Sequence, residues 1–440
     1  MRLPLAEAGT PCLSDAAAGR HDVGRFIADE ATTWQPNAAT EAVRAPYRDR
    51  SVLLALPGQL RTLAALLALD GVARRIVLWP NDTPPAALEN LVRAASIDLV
   101  LTEFPLTASA EADAPAGAER ETEWVLFTSG TSGEPKMVVH SLRTLAGHIL
   151  GSRSRAAPKI WCTFYDIRRY GGLQIALRAL LGGGSLVLSC PSEPPDAFLA
   201  RAAAAGATHF LGTPSHWRRA LMTDAAHKLR PDYVRLSGEV ADRTILDRLA
   251  ETYPSAELVH AFASTEAGLA FEITDRLPGF SPSVLENPPA GVELSIRNGS
   301  LHIRSPRVAR GYLNGAIEPI AGPDGTVDTG DSVELRGDRY IFAGRRDGTI
   351  NVGGQKVHPE EVEAVINLHP AVVMAAVMGR GNPVTGAVVV ADIVVRNPVT
   401  ARDLGQFCRA RLEAHKVPAI IRIVDRLPIG PGGKLVRRHA

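Results

Sequence analysis

Between residues 51 and 104 the chain alternates two textures, and this limits its fold more than any other feature. "SVLLAL" (51–56) reads as a buried strand, and "QLRTLAALLALDG" (59–71) as a helix with leucines at helical spacing and a stop at Gly71. "RIVLW" (75–79), "AALENLVRAA" (86–95) and "IDLVLTE" (97–103) repeat strand, helix and strand. Strands alternating with amphipathic helices imply βαβ units and a parallel sheet covered on both faces. The polar stretch "TASAEADAPAGAERET" (107–122) reads as an exposed loop leading to the strand "EWVLF". More α/β pattern follows: a helix over 141–151, a helix across "LQIALRALLGGG", the strand "SLVLS", then "FLARAAAAGA" and "THFLGTP".

From about residue 291 the texture changes to short strands with turn signals. "GVELSIRNGSLHIRS" carries an Asn-Gly hairpin cue, and "DGTVDTGDSVELRGDRYIFAGRRDG" continues the β-rich stretch. Beyond Asp347 a smaller unit is expected. "HPEEVEAVINLHP" places Pro359 at a first helical position and Val362, Val365 and Ile366 on one face. Two strand-like runs follow, then a helix with Thr400 and Asp403 in N-cap spacing, then the strand "AIIRIVD". The expected fold class is α/β: a large N-terminal domain of packed sheets flanked by helices with a β-rich subdomain (1–346), and a small mobile α+β domain (347–440).

Charge decides which partners to expect. With 48 basic against 47 acidic side chains the formal net charge is +1. Nothing global attracts nucleic acid or an anionic membrane, so any anion must be held by a local site. The four cysteines, Cys12, Cys162, Cys190 and Cys408, are far apart and form neither a zinc-site spacing nor a disulfide framework. They read as reduced thiols of a cytoplasmic protein. The opening "MRLPLAEAGTPCLSD" has no apolar signal core, and Pro57, Gly58, Arg61 and Asp70 interrupt the most apolar early stretch, which excludes a span of about 20 apolar residues.

One loop draws attention to chemistry. "FTSGTSGEPK" (127–136) sets two glycines, four hydroxyls and a lysine behind an apolar strand. Glycines let backbone N–H groups converge, hydroxyls donate, and Lys136 adds charge, so the loop reads as an anion cradle suited to polyphosphate. It is not the mononucleotide P-loop, because Glu134 and Pro135 separate Gly133 from Lys136. The alternative is a polar turn between two strands.

Further stretches favour the cradle. "TSGTSGEPK" (128–136), "FASTEAG" (262–268), "VDTGD" (327–331), "GRRDGTINVGGQKVHPEEVE" (344–363) and "PGGK" (431–434) resemble, in order and spacing, the core motifs of the adenylate-forming superfamily. That superfamily includes acyl- and aryl-CoA synthetases, peptide-synthetase adenylation domains and firefly luciferase. The resemblance covers residue 50 to the C-terminus and implies a set of roles. Thr128, Ser129, Gly130, Thr131, Ser132, Gly133 and Lys136 would hold the ATP phosphates. Glu266 would bind Mg²⁺, and Thr265 would contact the α-phosphate. Ser237, Gly238 and Glu239, with Phe262 and Ala263, would wrap adenine. Asp331, helped by Arg345, would bind the ribose, and Asp347 would be the hinge. Lys434 would reach the carboxylate and α-phosphate, a role suited to a long point-charged arm.

Each residue also has a plainer reading: Lys434 as a solvated lysine, Glu266 as a surface carboxylate, Asp331 as a turn aspartate, Phe262 as core, and His140 as a satisfied structural histidine. The chain departs from the family at Phe262 and Ala263, where Tyr and Gly are usual, at Ser132 and Asn351, and in the little that precedes residue 50. Amino-acid-activating members place an aspartate for the substrate ammonium where Tyr170 falls here, although Asp166 is close by. Tyr170, Gly171 and His260, with Tyr165 and Arg168 or Arg169, suggest a pocket for an aryl or modestly functionalised acyl acid.

The resemblance therefore implies an AMP-forming ligase that uses ATP, Mg²⁺ and coenzyme A, or a carrier-protein phosphopantetheine. The expected partners are a small carboxylic acid and CoA or an acyl or peptidyl carrier protein, with no nucleic acid and no membrane span. A stand-alone enzyme loading a carrier, a non-catalytic nucleotide-binding homologue and a luciferase-like oxidase are the rivals.

Overall fold

The computed structural model describes residue 13 and residues 25–36, 41–80, 88–106, 120–128, 136–150, 159–314, 316–430 and 432–437. Its first sheet runs, across the strands, Ala316–Glu318, Gly311–Asn314, Lys136–His140, Glu123–Thr128, Arg75–Leu78, Ser51–Leu54 and Leu99–Leu101. The four strands from Glu123–Thr128 to Leu99–Leu101 pair in parallel, as the alternating pattern predicts, and their burial is near-continuous in the three central ones.

A second sheet of eight strands runs from Gly268–Ile273 through Glu257–Ser264, Tyr233–Ser237, His209–Gly212, Ile160–Thr163 and Ser185–Leu188 to Ile27–Ala28 and Thr33–Trp34. The helices Gln59–Leu69, Leu142–Leu150 and Tyr170–Gly182 share one apolar cluster with both sheets, so they form the layer between them. Successive strand residues serve opposite layers. Val52 and Ile76 join this central cluster, whereas Leu53 and Val77 pack outward with Leu91 and Ala95. On the far face of the second sheet, Phe210, Val234 and Leu258 meet Phe198, Trp217, Ile245 and Leu249 from three more helices.

The β-rich stretch forms a four-stranded antiparallel sheet, Glu293–Arg297, Ser300–Arg304, Val327–Arg336 and Arg339–Arg345, with the expected Asn298–Gly299 turn in its first hairpin. A fourth sheet collects Ile350–Val352, Gln355–Val357, Val372–Asn382, Gly386–Val395 and Ile420–Ile423, with the helices Pro359–Asn367 and Ala401–Arg409 on one face. Pro359 opens the first of these helices, and the Thr400 hydroxyl caps the second by accepting from the Asp403 N–H. Among the described residues no helix is long and apolar enough to cross a membrane, and Cys162, Cys190 and Cys408 are free thiols.

Candidate active site

Four sheet edges and one loop converge on a cleft. The strands Glu123–Thr128 and Lys136–His140 form a hairpin whose last pair is Thr128 opposite Lys136, so both ends of the glycine-rich loop are placed. Ser129, Gly130, Thr131, Ser132 and Gly133 lie outside the described residues. Ser237, Gly238 and Glu239 leave the C-terminal end of a parallel strand, the usual mouth of such sheets. Thr265 and Glu266 turn between the strands Glu257–Ser264 and Gly268–Ile273. Asp331 stands opposite Arg345 across an antiparallel pair.

Lys434 comes to these edges from the far end of the chain. Its Cε lies 3.3 Å from where a Cβ on Gly238 would stand, and Gly238 has φ +86°, so an L side chain there would be both strained and crowded. The cleft is open, since Lys434 keeps a solvent-exposed surface. Protein crowding nonetheless pulls its pKa down, while Glu239, Asp331 and Glu266 oppose that pull and Arg345 adds to it. Three carboxylates and one guanidinium thus face a single ammonium. Burial raises the Asp331 pKa, with Arg345 and Lys434 working against it.

The loop bearing Lys434 is tied down on both sides. The Thr213 hydroxyl donates to the Gly433 carbonyl at 2.6 Å, and the Leu435 N–H donates to Glu239 Oε1 at 2.8 Å. Glu239 also accepts from the Ser215 N–H at 2.9 Å and the Ser215 hydroxyl at 3.0 Å. Gly433 has φ +72° and lies so close to the His216 ring that a Cβ would overlap it.

The Thr265–Glu266 turn is fixed from below. His140, fully buried, donates its Nε2–H to the Thr265 carbonyl at 2.7 Å, and desolvation lowers its pKa to about 4, so it is neutral there. The Tyr312 hydroxyl donates to Glu266 Oε1 at 3.2 Å, and Lys136 Nζ lies 4.9 Å from the Tyr312 ring centre. Desolvation and Glu266 push the Tyr312 phenol up to about 12.

Two family models match the sequence: "AMP-binding enzyme" over residues 108–313 and "AMP-binding enzyme C-terminal domain" over residues 361–434, together more than half of the chain. The chain belongs to the AMP-binding enzyme family. It thus falls within the adenylate-forming superfamily that its motifs resemble. Over 339 residues it is 29% identical to the p-hydroxybenzoic acid–AMP ligase FadD22 of Mycobacterium tuberculosis, covering 71% of this chain and 48% of that protein. The chain therefore spans about half the length of that relative. It is 32% identical over 360 residues to a 4-chlorobenzoate–CoA ligase of Arthrobacter sp, covering 72% of this chain and 65% of that one. Among solved structures, the o-succinylbenzoate CoA synthetase MenE of Bacillus subtilis in complex with its acyl-adenylate shares the fold. Its TM-score is 0.73 at 19% identity, with 97% of both chains covered.

Within this family fold, several side chains sit differently from the sequence expectation. Glu239, expected at adenine, spends its carboxylate on Ser215 and Leu435, so the side chain is an anchor for the lysine loop. Phe262 stacks near-parallel with Phe342 and Phe271, at 5.1 and 5.6 Å between ring centres, which is the core role. His260 is occupied by a backbone partner on its own side of the sheet. Its Nε2 lies 2.9 Å from the Leu277 carbonyl, beside Asp275 and Arg339, whereas Tyr170 is surrounded by Leu269, Arg307, Arg235 and Arg178.

Asp166 is held by Arg168, whose Nη2 lies 2.6 Å from Oδ2 and whose Nε donates to Oδ1 at 2.8 Å, so neither offers itself to a substrate. Gly171 approaches the Tyr165 ring, and the Tyr165 hydroxyl donates to the Ser237 carbonyl at 2.8 Å. Asp347 Oδ1 accepts from Arg345 Nε at 3.1 Å. Thr213, Ser215, His216 and Tyr312 are site residues that the motif reading missed. Only the Pro214 that follows Thr213, a common first helical residue, hinted at the helix end that Thr213 caps.

Proposed function

We propose that this chain is an AMP-forming ligase that activates an aryl or short to medium acyl acid and transfers it to a thiol. The observation that carries the reading is the convergence of Lys434 with Glu239, Asp331, Glu266 and Arg345 in one open cleft. In the first half-reaction a carboxylate oxygen attacks the α-phosphorus of ATP, the bond to the β-phosphate oxygen breaks, and acyl-adenylate and pyrophosphate form. Two anions must approach, so a cation placed at the reacting centre lowers the barrier electrostatically. Lys434 is that cation, Thr265 meets the α-phosphate, and Lys136 with the adjoining loop holds the β and γ phosphates. Asp331 and Arg345 hold the ribose. The Glu266 carboxylate, steadied by Tyr312, is a hard oxygen donor of the kind Mg²⁺ prefers, and the ion would neutralise phosphate charge there.

In the second half-reaction the thiol sulfur attacks the acyl carbon and AMP leaves. The stretch beyond Asp347 would turn as a unit, withdrawing Lys434 and presenting residues 351–363 to the pantetheine arm. Coenzyme A is the proposed acceptor, in keeping with the similarity to a CoA ligase. Thioester assays with free CoA against a phosphopantetheinylated carrier separate it from a carrier protein.

Acid-dependent exchange of labelled pyrophosphate into ATP tests the first step. Exchange is expected with aryl or short acyl acids, and Lys434→Ala should lower it at least about 100-fold, the scale seen when one transition-state donor is removed. Full exchange by that variant, or nucleotide binding with no acid-dependent exchange at all, would refute the proposal.

A further inference from the structure

Arg437, three residues past Lys434, ties the lysine arm to the helix Pro359–Asn367. Its Nε and Nη2 donate to Glu363 Oε1 and Oε2 at 2.9 and 2.7 Å, and its Nη1 lies 2.9 Å from Glu360 Oε1. Glu363 is only 7% exposed, and its Oε1 also accepts the Val377 N–H at 2.8 Å. The fork therefore closes on a carboxylate that is itself fixed between a helix and the strand Val372–Asn382. A bidentate pair of this kind sets direction as well as distance. Burial opposes the charge on Arg437, but Glu363, Glu360 and Glu239 outweigh it and raise the pKa, so the guanidinium stays charged.

The arm needs such a brace. Its tip carries Gly430, Gly432 and Gly433, which bring no side chain to hold its shape. Backbone bonds close the turn: the Gly430 N–H donates to the Lys434 carbonyl at 2.8 Å, the Gly433 N–H to Gly430 at 2.8 Å, and the Val436 N–H to Pro428 at 3.0 Å. Ile429 and Leu435 rest on the apolar face of the last sheet, a contact that fixes depth and, being non-directional, leaves orientation open. The bonds that hold the tip from outside, Thr213 to Gly433 and Glu239 to Leu435, come from residues before Asp347 and would break in the proposed turn. Arg437, Glu360 and Glu363 all lie beyond Asp347, so their bonds would travel with the arm.

We infer that Arg437 is a positioning residue for the first half-reaction: its fork on Glu363 and Glu360 sets the reach and direction of Lys434 before the lysine docks. This rests on the ligase reading above. Arg437 acts through Lys434 alone, because its guanidinium is taken up by the two glutamates. Placement matters at the reacting centre, where a shift of about 1 Å caused by a change away from the chemistry can cost about 100-fold in rate. Lysine at position 437 would keep the charge but replace the fork with a single point donor, so it should restore only part of the effect. In the rival account the contacts from Thr213 and Glu239 place Lys434 by themselves, and Arg437 has no influence on the rate.

The test uses the full chain with Arg437→Gln and Arg437→Lys. In acid-dependent pyrophosphate exchange kcat should fall about 100-fold for the glutamine variant and about tenfold for the lysine variant. The KM values for ATP and acid, and single-turnover thioester formation from supplied acyl-adenylate, should stay within about threefold of the parent chain. Adding Arg437→Gln to Lys434→Met should leave the residual exchange of that variant unchanged, since a residue that works only through Lys434 then has nothing to act on. Should Arg437→Gln fail to fold by circular dichroism, Arg437→Lys decides by the same readouts. Parent-like exchange by Arg437→Lys, equal losses in both half-reactions, or a further loss in the Lys434→Met background overturns the inference. Those results leave the ligase reading standing, whereas a parent chain that exchanges with no acid at all removes that reading and this inference together.

Discussion

Replacing Glu239 by glutamine should slow one half-reaction and spare the other. The Glu239 carboxylate accepts three hydrogen bonds, two from Ser215 and one from the N–H of Leu435, the residue after Lys434. An amide turns one of the two acceptor oxygens into a donor, so at least one of these N–H or O–H groups loses its partner. Hydrogen bonds to a charged acceptor contribute about 1.5–3 kcal/mol. If the loss falls on the seated lysine loop, the adenylation rate should drop roughly 10- to 150-fold, at about 1.4 kcal/mol per tenfold. The lost attraction to Lys434, which Glu239 exerts most strongly of the nearby carboxylates, acts in the same direction.

The assay is paired. Pyrophosphate exchange reports the first step, and single-turnover thioester formation from supplied acyl-adenylate reports the second. Exchange should fall within that range while thioester formation stays within about threefold of the parent chain. Equal losses in both would show that Glu239 shapes the whole cleft, and no loss in either would show that the Leu435 contact does not seat Lys434. Either result refutes the anchor.

Gly433→Ala attacks the same loop from its other side. A Cβ there would overlap the His216 ring on a backbone with φ +72°, so exchange should fall more than about 100-fold with little change in thermal midpoint, as measured by calorimetry. His140→Gln should flatten the acid side of the stability profile. Burial holds the folded His140 at about 4 against 6.5 for the unfolded chain, so the unfolded state binds the proton first as pH falls. The His140 contribution is then complete above about pH 6.5 and is lost toward pH 4, by an amount of order 3 kcal/mol. Urea unfolding at several pH values, with the parent chain as reference, measures that difference.

What could be foreseen from the sequence follows how locally each feature is encoded. The layered α/β core was legible because its strands are short apolar runs and its helices carry leucines at helical spacing, as in 59–69. Lys434, Glu266 and Asp331 were legible because each lies in a short motif of its own. The anchor was not, because Glu239 finds its partners 24 and 196 residues away in the chain. The partner of His260 was not legible either, because the Leu277 carbonyl that its Nε2 meets lies 17 residues on, past the next strand. Arg168 and Asp166 looked available because a sequence does not reveal that two residues spaced by two will close on each other.

The contacts that seat Lys434 also bear on how a single cleft could serve two steps. The apolar clusters of the last sheet draw only on residues from Ile350 onward, and the clusters of the preceding sheets take none of these. Between the two bodies run mainly polar bonds: Thr213 to Gly433, Glu239 to Leu435, Asn367 to Asp242 and Thr244, and Arg336 to Glu361. Bonds of this kind exchange for water at a net cost of about 0.5–1.5 kcal/mol each, and exposed ion pairs for less. The proposed turn about Asp347 would break them without opening either core. A few kcal/mol is enough to seat the lysine while acid and ATP react, and small enough for binding of the thiol substrate to offset. A larger apolar seam would lock Lys434 in place and strand the adenylate, so the sparse polar interface is what the proposed two-step reaction requires.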